Sequence, residues 1–262
     1  MHDQIPHIPP GGVTVEDTQW LKPGERVDDL QFSNLKIIQN PKAFRFGMDA
    51  VLLSDFCHAR PSGRVADLGT GTGILPLLIA GRAERAQIDG IEIQQDMADM
   101  ASRSVAMNHL EHRIKIHHED LRRAPDFLTR GKYDLVVCNP PYGREGSSLK
   151  NPREELHLAR HEGGCTLVEV IYAAKLLLKN GGRFSVVFPA ARLLELMDAM
   201  RIEKIEPKRL RMVHSSVERP PHLVLLEGVK DARPALHCLP PLVVYDEQGK
   251  PTPELDRIYH RG

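Results

Sequence analysis

The sequence predicts an α/β fold: a doubly wound, mostly parallel seven-stranded sheet. Two observations carry this expectation. Short apolar runs alternate with segments of helical period from residue 64 to residue 200, the pattern of stacked βαβ units. A glycine loop, "GTGTG" (69–73), joins the first of those runs to the first of those helices. Right-handed crossovers then place helices on both faces of the sheet.

In chain order, residues 1–23 are rich in Pro, Gly, Asp and Gln and predict a flexible arm, with Trp20 as its one large anchor. "LKIIQ" (35–39) predicts a short strand, and "MDAVLLSDF" (48–56) a helix with Asp49 near its start. "RVADLG" (64–69) is a buried strand and "ILPLLIAGRA" (74–83) the helix behind it. "AQIDGIEI" (86–93) is the second strand, followed by a helix over about 94–109, and "RIKIHHED" (113–120) is the third. "YDLVVCNPP" (133–141) is the fourth strand, a helix covers about 167–178, and "GGRFSVVFPA" (181–190) is the fifth strand. "ARLLELMDAM" (191–200) is helical, and "PKRLRMVHSS" (207–216) and "HLVLLEGVK" (222–230) are two final strands. The Pro-rich tail, 239–260, has no long periodic segment and predicts an ordered extension.

Composition excludes several classes. Lys and Arg balance Asp and Glu, 35 against 35, so net charge does not drive nucleic-acid binding, though a local basic patch remains open. Cys57, Cys138, Cys165 and Cys238 are scattered with no CxxC pair, which argues for reduced thiols and against a zinc ribbon. His157 and His161 share the i,i+4 spacing of a helical metal pair, but no third ligand is in place, and no metal is expected. The N-terminus lacks a signal-peptide pattern, and the apolar run around Pro76 is too short for a membrane span, so a cytoplasmic protein without a membrane partner is expected.

The glycine loop carries the first chemistry. Gly69 permits a tight turn, Gly71 lets a ligand approach the backbone, and Gly73 lets the helix pack closely. The spacing is GxGxG, not the dinucleotide GxGxxG, and Asp67 stands just before it. A carboxylate there suits an ammonium group better than a pyrophosphate. Glu92 ends the second strand about twenty residues on, where an acidic side chain takes ribose hydroxyls. Asp120 ends the third strand, placed to accept from an adenine amino group.

"NPPY" (139–142) ends the fourth strand and so faces the same crevice. A conjugated amino group is a poor nucleophile because its lone pair is delocalised. The Asn139 side-chain oxygen and the Pro140 carbonyl can accept its two N–H groups and favour a localised lone pair. Pro141 biases Pro140 to an extended geometry that aims this carbonyl. Tyr142 can stack on the flat ring. Asn139, Pro140 and Tyr142 are therefore the candidate catalytic residues, Asn139 also borders the cofactor, and Pro141 and Tyr142 contact substrate. Arg144 and Arg160, beyond the motif, are candidates for phosphate contact, as are Arg201, Lys204, Lys208, Arg209 and Arg211.

Together the loop, Glu92 and Asp120 resemble the S-adenosylmethionine site of Rossmann-like class I methyltransferases. "LKIIQ", "FRFGMDAVLLSDF", "DLGTGTGILPLLIA", "NPPY", "ARHE", "KLLLKNGGRFSVVFPAARL", "KRLRMVHSS", "LVLLEGVKDARP" and "LPPLVVYDE" are similar to the bacterial tRNA-Val (adenine-37-N6) methyltransferase family. The resemblance spans about Leu30 to His260 and implies methylation of the adenine beside the anticodon. It also implies that Phe46 and Asp49 help close the cofactor site. Residues 24–262 are then expected to form a single methyltransferase domain, with a cofactor-lid segment before the glycine loop and a C-terminal extension. N-methylation of another RNA adenine, or of a release-factor glutamine, is the alternative with the same chemistry. A non-catalytic RNA-binding regulator on the same fold is the alternative without it. The sequence leaves the oligomeric state open.

Overall fold

The computed structural model describes residues 14–41, 47–140 and 165–260. The first described element is one helical turn, α1 (Val15–Thr18), closed by a reciprocal capping box between Thr14 and Asp17. Such a box satisfies two donors that a helix start leaves unpaired. Buried Asp17 also takes the Lys36 ammonium at 2.7 Å. Trp20 and Leu21 pack against a small cluster of Val27, Ile38, Met97 and Met100. Strands β1 (Arg26–Asp29) and β2 (Lys36–Gln39) pair antiparallel in a separate two-stranded sheet. The "LKIIQ" expectation thus meets a strand, while its partner "RVDD" is too short of apolar residues to be foreseen. Helix α2 (Met48–Phe56) follows.

The strands and helices then alternate as β3 (Arg64–Leu68), α3 (Ile74–Arg82), β4 (Gln87–Glu92), α4 (Gln95–Met107), β5 (Ile114–His118), the short α5 (Ala124–Phe127) and β6 (Tyr133–Cys138). The second half holds α6 (Leu167–Leu177), β7 (Leu178–Pro189), α7 (Leu193–Ile202), β8 (Ile205–His214), β9 (Pro221–Lys230), β10 (His237–Cys238), β11 (Leu242–Val243) and α8 (Pro253–Ile258). The sheet order is β5-β4-β3-β6-β7-β9-β8-β10, with β11 also on β8. The seven long strands are those expected, and two strands of two residues each extend the sheet to nine. Among the described strands of this sheet, only β9 runs against the others, because it pairs antiparallel with both β7 and β8 while the remaining pairs are parallel.

Period-two alternation explains the two layers of helices. In β3, Val65 joins a core with Leu53 of α2 and Leu77 of α3, while Ala66 and Leu68 join a second core with Ile171 of α6 and Met200 of α7. Both faces of the sheet are therefore covered by helices, as a doubly wound sheet requires. The C-terminal extension belongs to the first core through Leu255 and Ile258. There Phe32, in the β1–β2 turn, stacks on His260 at 4.3 Å between ring centroids, with the Arg82 guanidinium 4.9 Å from its ring centroid.

Helix α3 is set against α4 by a missing side chain. Gly73 has φ +88°, and a Cβ there would stand 3.1 Å from the Ala101 Cβ. Gly73→Ala should destabilise the fold by about 1–3 kcal/mol, since it adds both left-handed strain and crowding. Urea unfolding with an unchanged slope is the measurement; wild-type stability would refute the packing role.

Candidate active site

The site begins where β3 stops. Asp67 and Leu68 are fully buried, and the chain then turns through Gly69, Gly71 and Gly73 at φ +80°, +56° and +88°. The end of β4 holds this turn in place. The Gly69 and Thr70 N–H groups both donate to the Ile91 carbonyl at 2.9 Å. The Gly71 N–H donates to Glu92 Oε2 at 2.9 Å, and the Gln94 N–H to Oε1 of the same carboxylate at 2.8 Å. Gly90 makes room for the loop, because a Cβ there would stand 3.0 Å from Thr70 Oγ1. Sequence reasoning singled out Glu92 but missed Gly90, which sits inside an ordinary strand run. Each Glu92 oxygen keeps a second lone pair, so the expected reach to ribose hydroxyls is compatible with both bonds.

Asp67 is fully buried, and neither of its carboxylate oxygens has a hydrogen-bond partner of standard geometry among the described residues; nor does Thr70 Oγ1. Burial pushes its carboxyl up to about 7; the nearby Thr70 hydroxyl opposes that rise and the Glu92 carboxylate adds to it. A buried carboxylate without a partner is costly on its own and is the natural complement of a bound cation.

The fourth strand brings the other half of the site. Cys138, buried, donates its thiol to the Leu68 carbonyl at 3.0 Å, so it acts as packing between β6 and β3. Asn139 follows and lines one crevice with Gly69, Thr70, Gly71, Thr72, Ala50, Ile74 and Leu75. Asn139 and Pro140 are both half-buried. Asp49 stands one residue before Ala50, half-buried in the first turn of α2. Burial holds its carboxyl above the usual range, against the pull of its own backbone N–H and of His222.

Not every expected residue joins this crevice. Gly73 faces α4 instead. Asp120 lies at the end of β5, where its carboxylate accepts from the Arg122 backbone and guanidinium. Phe46, Pro141, Tyr142, Arg144 and Arg160 lie outside the described residues, as do His157 and His161. No cluster of three His, Cys, Asp or Glu residues able to hold a metal occurs among the described residues, and no described helix is long and apolar enough to cross a membrane.

The basic cluster read along 201–211 is largely occupied within the protein. Arg201 pairs with Glu206, Lys208 donates to the Arg233 carbonyl, Arg209 to the Phe56 carbonyl, and Arg211 to Glu254 at 2.7 Å. Arg201 and Lys204 also precede β8, at the sheet end opposite Asn139. Sequence proximity suggested a patch; apart from Glu206, the groups that occupy it (the Arg233 and Phe56 carbonyls and Glu254) are distant in sequence.

A left-handed glycine loop, a buried carboxylate without a partner of standard geometry among the described residues and an acidic strand end fit a cationic, ribose-bearing ligand. Fold and site define a class I methyltransferase, and the cofactor is S-adenosylmethionine. The methyltransferase small domain family matches residues 47–203. Among curated relatives, the tRNA1(Val) (adenine(37)-N6)-methyltransferase of Parabacteroides distasonis is 32% identical over 199 residues, covering 76% of this chain and 82% of that one. The same-named protein of Porphyromonas gingivalis is 30% identical over 240 residues, 88% of this chain and 93% of that one. Among solved structures, a predicted O-methyltransferase from Agrobacterium tumefaciens has a TM-score of 0.66 at 23% identity, over 81% of this chain and 96% of that one. P. horikoshii TYW2 in complex with MeSAdo has a TM-score of 0.57 at 18% identity, over 80% and 73%. The chain belongs to the methyltransferase small domain family and, within it, to the family of the tRNA1(Val) (adenine(37)-N6)-methyltransferases.

Asp67 links this site to pH. Between about 4, the ordinary carboxyl range, and about 7, the folded protein keeps a proton that the unfolded chain has released. This group's contribution to ligand-free stability is therefore full below that window, falls as pH rises through it, and is level above it. Asp67→Asn should raise the melting temperature of the ligand-free protein at pH 8 and flatten the stability decline between pH 4 and 7. The same variant should bind the donor about 10- to 100-fold more weakly, for loss of a charged partner. Melting curves across pH and calorimetric titration measure the two effects; an unchanged donor affinity would remove Asp67 from the site.

Proposed function

We propose that the protein transfers a methyl group from S-adenosylmethionine to N6 of an unpaired adenine in tRNA, adenine 37 in the anticodon loop of valine tRNA, with Asn139 and Pro140 as the acceptors that hold the amino group. The observation that carries this reading is the shared crevice: Asn139 lines the same wall as Gly69, Thr70, Gly71 and Thr72. The names of the relatives support the substrate.

The cofactor, when bound, supplies an electrophilic methyl group on a positively charged sulfur. Asp67, Glu92 and the glycine loop hold it, and the apolar wall of Ala50, Ile74 and Leu75 limits water beside them. Asn139 Oδ1 and the Pro140 carbonyl accept the two N–H groups of the adenine, which favours a lone pair localised on nitrogen. Both acceptors follow directly on β6, whose last residue Cys138 is 1% exposed, so the strand fixes them before substrate arrives. Neither acceptor takes up the proton that the methylated nitrogen must shed; both are neutral, and the proton leaves the nitrogen for solvent. An unpaired loop base costs little to extrude compared with a duplex base.

The test uses unmodified valine tRNA and isotope-labelled donor. Label should enter N6-methyladenosine and not release-factor protein. Asn139→Ala should lower the transfer rate at least about 100-fold, the range for a lost preorganised hydrogen-bonding group, while donor affinity changes little. Absence of label in adenine from a donor-bound wild-type enzyme would sink the proposal. Equal loss of transfer and donor binding would move Asn139 from the reacting group to the cofactor.

A further inference from the structure

The wall of the crevice has a second side. Ala50 of α2 lines the crevice, and Val51, the next residue, lines a small cavity behind it. Ile74 and Leu75 of α3 also line the crevice, and Leu78, one turn on, lines the same cavity. The first turns of α2 and α3 therefore form a partition with one face toward the crevice and one toward the cavity. Helix α2 is entered from the small sheet, so packing, not a crossover between main-sheet strands, sets its tilt.

Segments distant in sequence close that cavity. Phe32 enters from the β1–β2 turn, Arg82 from the end of α3, and Tyr259 and His260 from the C-terminal tail. Arg82 ties them together: Nη1 donates to Asp55 of α2 and Nη2 to the Ile258 carbonyl, each at 3.4 Å. The Phe32 ring is seated against the Arg82 guanidinium and the His260 ring. A Cβ on Gly81 would stand 2.5 Å from Phe32 Cε1, so this seat needs the bare backbone of α3. The turn that carries Phe32 is strained. Gln31 and Ser33, on either side of it, stand at φ +52° and +50°, a region costly for such residues. Strain of this kind persists only where surrounding contacts over-determine it, and it gathers at ligand clamps.

We propose that Phe32 is a positioning residue for methyl transfer: seated behind the wall, with His260 as its backing, it holds α2 against α3 and keeps Ala50 at the spacing from Asn139 and the glycine loop that the donor requires. This role rests on the donor reading above. The partition is one helix turn thick, and close-packed interiors pass on a change of volume, so a ring lost from the cavity is felt at the crevice. The C-terminal tail thereby serves a site that none of its own residues lines.

The experiment titrates S-adenosylhomocysteine into the full-length protein, well below its melting temperature. Phe32→Ala should weaken binding about 10-fold, within the usual range for coupled sites. Phe32→Tyr, which keeps the ring, should bind like wild type. His260→Ala should weaken binding by less than Phe32→Ala, and His260→Phe, which can still stack, should restore it. His260 is exposed, so its two variants decide the matter even where Phe32→Ala does not fold. In methyl transfer to tRNA, Phe32→Ala should raise the donor KM and leave kcat at saturating donor unchanged, because Asn139 and Pro140 follow β6 and not the partition. Ile171→Val, a smaller side chain in the second core, is the control: it should lower the melting temperature and leave affinity at wild type. A Phe32→Ala protein that melts earlier but binds like wild type would overturn the proposal. So would an equal loss of affinity in Ile171→Val, or His260 variants that all bind alike. A wild type that does not bind S-adenosylhomocysteine would overturn the donor reading, and this role with it.

Discussion

The Glu92 carboxylate is the interaction on which the site depends. From the end of β4 it grips the N–H of Gly71 in the loop and the N–H of Gln94 at the start of α4. Three left-handed glycines would otherwise give the loop wide conformational freedom. With Glu92 and the Ile91 carbonyl in place, loop, strand and helix start become one rigid corner. Asp67 can then be buried beneath that corner, and Asn139 can face it across a fixed gap. A ligand meeting this corner finds its acceptors already oriented and does not have to order them.

Asp67 represents the opposite bargain. A fully buried carboxyl with no partner of standard geometry among the described residues lowers the stability of the ligand-free fold at neutral pH. The same feature makes a cation welcome. Local instability and ligand affinity are thus two readings of a single desolvated group, which is why the residue is poor for folding and good for binding.

How much of this was legible in the sequence depends on the range of the interaction. The seven long strands and the helices between them were readable, because their signal is periodicity within a dozen residues. Gly69, Gly71 and Asn139 were readable as neighbours, because topology alone puts them at one end of the sheet. Gly90 was not, since its job is to avoid Thr70 on a loop twenty residues earlier. Strand β1 was not, since "RVDD" is held by pairing with β2 rather than by its own pattern. The partners of the basic residues of β8 were not readable either, because Arg209 meets Phe56 and Arg211 meets Glu254, contacts that only the folded chain creates.

The reversed strand β9 has a consequence for how such a protein can change over time. Because β8 runs with the parallel strands and β9 runs back, the connection 215–220 emerges at the same end as the glycine loop and Asn139. A parallel seventh strand would have sent that connection to the far end and required a long crossover. The crevice end therefore gathers an additional loop; its first residue, Ser215, is held by the Tyr245 N–H at 3.0 Å, and the side chains beyond it can vary without disturbing a ladder bond. The glycine loop and Asn139 follow directly on parallel strands, whereas 215–220 is a connecting loop, the kind of segment that varies most readily. One inverted strand thus sets a segment that is free to vary beside one that the sheet holds fixed.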